Sequence, residues 1–398
     1  MKTFYKIIPM MIVLLLAGCN EKEPEFDEND PNSVITTLFD KKFASALQEK
    51  GYVKDAKKIR FSEVDTIKDI QVLACSLTSL SGIEHFTALT SLNCDGNNLT
   101  SLDVSKNTAL TKLYCGYNQL TTLDVSENKA LTVLGCGNNP LTDLDVSKNT
   151  ALTELRCTGN QLTTLNVSMN TELASLWCGN NSFTGLNLSK NTELIELRCN
   201  GNQFTTLNVS NNAKLKKLYC DDNQFTSLDI SENMLLEYLN CCDNSLTTLD
   251  VSKNTKLTDL LCGSNPLAVL DVSKNTLLGY LNCYGNQLSA LDISENTALA
   301  TLECGSNQLS VLDISKNTKL ENLECYGNQL STLDISENTA LATLECNNNP
   351  GDGAKFIVTA WFDNNNVPTP TAVHDYYFTT GSWTHDGKTI TIEYRKAE

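Results

Sequence analysis

The sequence predicts a curved solenoid of stacked coils. Each coil places one short parallel β-strand on the concave face, and a small helical cap and a β-rich cap close the N- and C-terminal ends. Thirteen cysteines recur at intervals of 21 residues from Cys94 to Cys346, each in a Leu-x-Cys-x-x-Asn motif. Twelve of these motifs are followed by a second half such as LDVSKNTAL at 102–110. A single coil of this length cannot bury its own leucines, so the coils must stack.

The repeat carries the signature of a leucine-rich repeat, with Cys in place of one Leu. That signature is a period of 20–29 residues containing L-x-x-L-x-L-x-x-N-x-L. Strand alternation over 113–115 points the first and third side chains inward and Tyr114 outward. Asn118 and its equivalents face inward at the turn, where a buried amide must be hydrogen-bonded. The Asp103 and Ser105 side chains satisfy backbone groups in the opposite turn.

Inward positions that repeat in register form columns, so the thirteen cysteines should make a ladder inside the core. Parallel side chains on adjacent strands lie about 4.8 Å apart, beyond the Cβ separation of about 3.5–4.5 Å in a disulfide. We therefore expect free buried thiols. The spacing lacks the clustered Cys and His of a metal site, so we expect no metal. Cys242 follows Cys241 on the outward side and should be accessible.

The unit L-x-C-x-x-N-x-L-T-x-L-D-V-S-x-N-T-x-L resembles the Cys-ladder repeats of the internalin J-like bacterial surface leucine-rich-repeat proteins. The resemblance covers residues 73–350. It implies the solenoid fold and binding at a cell surface, and it says nothing about the ligand. The chain departs from the pattern in having no wall-sorting tail and no string of immunoglobulin-like domains after the repeats.

Residues 1–18 have the features of a secretory signal peptide. Lys2 and Lys6 precede an apolar run at 7–17 that is too short to span a bilayer. The tetrapeptide LAGC at 16–19 resembles the lipobox of bacterial lipoproteins, which implies lipid attachment at Cys19. An ordinary signal peptide with a chance cysteine is the alternative. Acylation would attach the protein to a membrane through this lipid only.

Residues 19–33 are acidic and poor in apolar side chains, which favours a solvated tether. Acidic residues directly after a lipidated cysteine resemble the surface-export signals of some Gram-negative bacteria. We expect a lipid-anchored protein of the outer membrane, displayed on the cell surface. A tether on the periplasmic face is the alternative.

A solenoid exposes its core at both ends, so the flanks should be caps. Residues 34–72 are assigned to a helical N-terminal cap, because apolar residues between Val34 and Leu47 follow helical spacing. Residues 73–350 are the repeats, beginning with an irregular coil. Residues 351–398 alternate apolar and polar side chains and are assigned to a β-rich cap, with a separate ligand-binding module as the alternative.

Composition and motifs exclude several classes of function. The chain has 30 Lys and Arg against 47 Asp and Glu, a net charge of −17, whereas a nucleic-acid-binding surface must be basic. None of the three histidines stands in a recognisable catalytic motif, and no phosphate-binding glycine loop is present. We therefore expect neither an enzyme nor a cofactor, and no nucleic-acid partner.

The outward strand positions supply the candidate ligand-binding residues. They place aromatic and basic side chains on consecutive coils in the middle of the concave face, and glutamates at 303, 324 and 345. Exposed Trp, Tyr and Arg dominate binding hot spots, although strands also favour aromatic residues without any function. The candidates are Tyr114, Tyr117, Arg156, Trp177, Arg198, Lys217, Tyr219 and Tyr238.

Two ligand classes remain open for this surface. The first is a protein on a host or neighbouring cell, held by the basic and aromatic patch in an adhesion contact. The second is a glycan whose sugar rings stack on Trp177 and the tyrosines, which would require a flat aromatic platform.

Overall fold

The computed structural model describes residues 30–351 and the strands at 357–359, 372–373, 378–385 and 388–395. The predicted signal peptide, Cys19 and most of the tether lie outside these residues. Within the described part, no helix has both the length and the apolar character needed to cross a membrane.

Within the residues that the structure describes, helix occurs only in the N-terminal segment. It comprises a 3₁₀ turn at Thr36–Leu38, helix α1 at Lys41–Glu49, helix α2 at Phe61–Val64 and a 3₁₀ turn at Ile83–His85. The N-terminal helix expected between Val34 and Leu47 is confirmed, but it begins at Lys41, because the carboxylate of Asp40 accepts from the N–H groups of Lys42 and Phe43 and starts α1 there.

The N-terminal segment nonetheless builds a core against the first coils. Phe43 and Leu47 of α1 are buried. The ring of Phe39 lies 6.1 Å from both Phe43 and Phe86. These contacts bury the apolar face that the first coil would otherwise expose.

Nineteen strands are formed by the described residues, most of them only three residues long. They are β1 Asp69–Gln71, β2 Ser91–Asn93, β3 Lys112–Tyr114, β4 Val133–Gly135, β5 Glu154–Arg156, β6 Ser175–Trp177, β7 Glu196–Arg198, β8 Lys217–Tyr219, β9 Tyr238–Asn240, β10 Asp259–Leu261, β11 Tyr280–Asn282, β12 Thr301–Glu303, β13 Asn322–Glu324, β14 Thr332–Asp334, β15 Thr343–Glu345, β16 Ile357–Thr359, β17 Ala372–Val373, β18 Phe378–His385 and β19 Lys388–Arg395.

Strands β1 to β13 and β15 pair in parallel, coil by coil, with a constant shift of 21 residues from β2 onward. Strand β1 already belongs to this sheet, so the sheet begins at Asp69, inside the segment assigned to the cap. At the far end β15 pairs in parallel with β19, which pairs antiparallel with β18. The parallel solenoid is confirmed, whereas the domain limits and the role of 351–398 stay predictions.

The inward columns form as predicted. Each central strand leucine and each of the thirteen repeat cysteines is buried. Between two adjacent coils, the Cys115 N–H donates to the carbonyl of Gly135 at 2.8 Å, which places successive sulfurs in register. Among the described residues all of these cysteines are free thiols. Burial raises their pKa well above that of an exposed thiol.

Two asparagine columns satisfy the buried backbone of the turns. Asn118 donates to the carbonyls of Cys94, Cys115 and Gly116, and its Oδ1 accepts from the Leu99 N–H at 3.0 Å. The inward asparagine column predicted from Asn118 is therefore confirmed, although its partners are backbone groups. A second column of twelve asparagines, from Asn107 to Asn338, is fully buried and was not predicted.

Candidate functional site

The centre of the concave sheet face carries a stack of planar side chains on consecutive strands. The guanidinium carbon of Arg156 lies 4.1 Å from the ring centroid of Trp177, and that of Arg198 lies 4.2 Å from the same ring. Because β5 and β7 flank β6, the two cations cover opposite faces of the indole. The covered faces of Trp177 disfavour a sugar ring stacking on the indole.

The stack continues toward the C-terminus through two tyrosines. Arg198 also lies 4.3 Å from the ring centroid of Tyr219, and the rings of Tyr219 and Tyr238 are 4.6 Å apart. Burial raises the pKa of Tyr238 to about 12. Five of the predicted residues are thus brought into one contiguous contact chain.

Each arginine of the stack is paired with a glutamate that the sequence analysis did not include. Nε of Arg156 pairs with Oε1 of Glu154, and Nε of Arg198 donates to Oε1 of Glu196 at 2.6 Å. The patch is therefore less basic than predicted. The glutamates hold the guanidinium planes in place, and the outer Nη groups have no acceptor among the described residues.

A groove of about 420 Å³ runs beside the stack, along the position that follows each ladder cysteine. Its floor includes Gly116 and Gly137, where the absence of side chains leaves space. Tyr114, Arg156, Trp177 and Arg198 form one wall, Tyr117, Asn138 and Asn180 the other, and Asp95, Thr158 and Asn200 complete the lining.

The ends of the groove are also polar. Asp95 accepts from the Gly116 N–H at 2.5 Å, and burial raises the pKa of its carboxyl group. The groove therefore gathers five of the eight predicted residues, namely Tyr114, Tyr117, Arg156, Trp177 and Arg198. Lys217 is exposed on β8, beyond this lining, and has no ion pair among the described residues.

Tyr117 occupies a backbone position that suits it poorly. The equivalent residue in thirteen successive coils has a positive φ, and the twelve other coils use Gly, Asn, Asp or Ser there. Tyr117 has φ 50° and is 66% exposed, so packing does not offset the strain of a bulky residue in this conformation. Backbone strain that no buried contact offsets is typical of a residue that contacts a ligand.

Replacing Tyr117 with Asn, the residue of the next coil, should raise the free energy of unfolding by about 0.5–1 kcal/mol, because Asn tolerates this conformation better. Chemical denaturation measures the gain. Ser264→Asn, on the same column but outside the groove, is the matched control and should change stability by less. A loss of stability in Tyr117→Asn would show that the tyrosine serves the fold.

The C-terminal part of the sheet face differs from the predicted simple acidic column. The hydroxyl of Tyr280 donates to Oε1 of Glu303 at 2.7 Å, and Nδ2 of Asn282 donates to Oε2 at 2.5 Å. Glu345 is buried rather than displayed. These carboxylates therefore take part in the structure of the face itself.

Two features of the site could have been found in the sequence. Glu154 and Arg156 are two residues apart on one strand, as are Glu196 and Arg198, so alternation places each pair on the same face. Glycine follows the ladder cysteine at 116, 137 and 179, which marks a low floor along that column.

Cys242 is half-buried, which corrects the expectation that it is accessible. Burial raises its pKa to about 12, so its thiolate is scarce at neutral pH. Among the described residues no cluster of His, Cys, Asp or Glu is arranged to hold a metal ion.

Comparison with known proteins identifies what this architecture is similar to. Residues 108–149 match the family model described as "Leucine Rich repeats (2 copies)". The functional domain of InlJ from Listeria monocytogenes, described as including a cysteine ladder, is 32% identical. The match has a TM-score of 0.73 and covers 91% of this chain and 98% of that domain.

Two more distant structures share the fold. The internalin inlF of Listeria monocytogenes is 24% identical, with a TM-score of 0.65 over 83% of this chain and 97% of its own. A leucine-rich-repeat protein of Leptospira interrogans is 23% identical, with a TM-score of 0.64 over 73% of this chain and 93% of its own. No curated protein matches the sequence.

Proposed function

Because this chain belongs to the internalin J-like leucine-rich-repeat family, we propose that it is a protein-binding module that acts through its concave sheet face. The observation that carries the proposal is the stack from Arg156 to Tyr238. Its planar side chains are fixed by one another and by Glu154 and Glu196 before any ligand arrives. Preorganised Arg, Trp and Tyr side chains lose little conformational entropy on binding, which is why they dominate interface energetics.

A protein ligand fits this face better than a neutral glycan does. Neutral sugars gain most of their affinity from stacking on an open aromatic face, and both faces of Trp177 are covered by guanidinium groups. Guanidinium edges and tyrosine hydroxyls instead suit hydrogen bonds to the polar groups of a polypeptide.

The cellular context of the proposed module follows from the N-terminal sequence. The lipobox-like LAGC at 16–19 supports lipid attachment at Cys19, and the acidic residues that follow support display at the outer surface. We propose an outer-membrane lipoprotein whose sheet face meets a protein on a host or neighbouring cell. The periplasmic face is the alternative location.

The test is a capture experiment with the chain from residue 19 carrying Cys19→Ser, which removes the lipid site. Ligands captured from extracts of candidate host or neighbouring cells are compared with those bound on a glycan array. Replacing Arg156, Trp177 and Arg198 together with alanine should weaken binding of each captured protein at least about 100-fold, because hot-spot residues each contribute about 2 kcal/mol or more.

The control replaces Lys148, Met169 and Lys190 with alanine. These exposed residues lie between the same strands but outside the sheet face, and they offer a similar set of two cations and one apolar side chain. The control should bind normally. If the triple variant of the stack binds every captured ligand as tightly as the unaltered chain, the sheet face is not the binding surface.

A further inference from the structure

The groove beside the stack has a distribution of hydrogen-bonding groups that selects a class of ligand. On one wall, Arg156 and Arg198 each have the Nε atom paired with a glutamate, and the described residues form no hydrogen bond to either Nη edge. The carboxylate of Asp95, in the same lining, attracts Arg156 electrostatically without such a bond. Both side chains remain more than one-third exposed, so a ligand can reach that edge. Two guanidinium forks, one over each face of the same indole, therefore line the same opening.

The opposite wall presents amide groups. The side chains of Asn138 and Asn180 on this wall, and of Asn200 in the adjoining lining, make no hydrogen bond with any other described residue. Side-chain amides both donate and accept, as the backbone of an extended polypeptide requires. Tyr117 stands at the rim of this wall, and its hydroxyl is likewise without a partner in the described part of the chain.

The dimensions of the groove suit a short extended segment. Its lining runs from Asp95 to Asn200, five coils apart, which corresponds to about 24 Å at the spacing of adjacent strands. That is the length of about seven residues in an extended chain. Arg156 and Arg198 are two coils apart, roughly the distance between carboxylates two or three residues apart in such a segment.

From these contacts we propose that the groove binds a short acidic segment of a polypeptide, with two of its carboxylates on the Nη edges of Arg156 and Arg198. This inference rests on the proposed function and names its ligand class. A carboxylate matches the planar fork of a guanidinium with two parallel hydrogen bonds, and such charge-assisted bonds are about twice as strong as neutral ones. The amides opposite receive the segment's backbone, and Tyr117 packs against one of its side chains.

The probe is a fluorescein-labelled octapeptide of alternating Glu and Ala, and its binding to the chain from residue 19 with Cys19→Ser is followed by fluorescence anisotropy. The same peptide with Gln in place of Glu tests the need for carboxylates. We expect saturable binding of the Glu peptide that is at least about tenfold tighter than that of the Gln peptide, equivalent to about 1.4 kcal/mol.

Three double variants distinguish hydrogen bonding by the guanidinium forks from the effect of positive charge alone. Arg156→Gln with Arg198→Gln should weaken the binding of the Glu peptide at least about tenfold. Arg156→Lys with Arg198→Lys should also weaken this binding, because lysine keeps the charge but not the planar fork of the guanidinium group. Lys148→Gln with Lys190→Gln removes the same charge outside the groove and should change the affinity less than about twofold. Thermal unfolding of each variant confirms that it is folded.

Several results would overturn the inference. The Gln peptide could bind as tightly as the Glu peptide, the Lys148 and Lys190 control could weaken binding as much as the arginine variant, or the Glu peptide could fail to bind. An oligoglucuronate of similar length that binds more tightly would reassign the groove to an anionic glycan. The Glu peptide could fail to bind while replacing Arg156, Trp177 and Arg198 with alanine still abolishes binding of the captured proteins. In that case only the ligand class is wrong and the proposed function stands.

Discussion

Raising the pH from 8 to 9.5 should unfold this protein, and the cause is the cysteine ladder. Burial raises the pKa of all thirteen ladder thiols, the largest cause in each case being the loss of hydration around the thiolate. In the unfolded chain the same thiols ionise near pH 8.5–9. Above that pH the unfolded state releases protons that the folded state retains.

The sign of the effect follows from this difference in proton binding. The stability contributed by the neutral thiols is fully present below about pH 8.5 and is lost as the pH rises toward the folded-state pKa. Above the unfolded-state pKa, each thiol lowers the free energy of unfolding by about 1.4 kcal/mol per pH unit. Thirteen thiols together lower it by on the order of 15–20 kcal/mol per pH unit. Domain stabilities are typically about 5–15 kcal/mol, so the loss is large enough to unfold the solenoid.

Circular dichroism melts between pH 8 and 9.5, with reductant present, measure this loss as a fall in Tm of more than about 10 °C. The control replaces Cys262, Cys283, Cys304 and Cys325 with alanine. It starts from a lower stability because of the cavities it creates, but its dependence on pH should be shallower by about a third. An unchanged pH dependence in that variant would mean that the thiols are not the titrating groups.

Replacing Asn286 with alanine should lower the free energy of unfolding by about 2–4 kcal/mol. Its Nδ2 donates to the carbonyls of Cys262, Cys283 and Tyr284, and its Oδ1 accepts from the Leu267 N–H at 3.1 Å. Alanine would leave that N–H buried without a partner, at about 1–3 kcal/mol, and would remove one of the two hydrogen bonds to each carbonyl, at about 0.5–1.5 kcal/mol for each bond lost. The carbonyls keep their other donors, which are Asn265, Asn307 and Ser264.

Urea denaturation provides the measurement, and the adjacent exposed Gln287 provides the control. Gln287→Ala keeps the backbone bond to the Leu267 carbonyl and should change stability by less than about 0.5 kcal/mol. Equal effects of the two substitutions would show that the column of amides contributes no more than a surface residue does.

The 21-residue period predicts the central fold because each coil packs against adjacent coils of nearly the same sequence. Leu113 and Cys115 are inward in the structure for the reason given by strand alternation, and the 21-residue shift places each strand beside its equivalent. Apolar spacing alone does not predict the start of α1, because the carboxylate of Asp40 determines where the helix begins.

The sequence predicts which candidate residues lie next to one another, but it does not predict the contacts that their side chains make. Register alone brings Arg156 and Arg198 next to Trp177. It does not reveal that the cations cover both faces of the indole, because that depends on rotamers chosen among neighbouring side chains. The strain at Tyr117 becomes visible only when its column is compared across coils, since glycine and asparagine at equivalent positions indicate a left-handed turn.

The constant register between coils also bears on how such a chain can change over generations. Every ladder, whether of leucine, cysteine or asparagine, depends on the same interval of 21 residues between equivalent positions. A gain or loss of 21 codons therefore joins one complete coil to another, and each remaining side chain still meets its equivalent. A gain or loss of 20 codons would instead shift every following column against its neighbour. The gene can thus lengthen or shorten the protein beyond the groove in whole coils, without altering the surface that the groove presents.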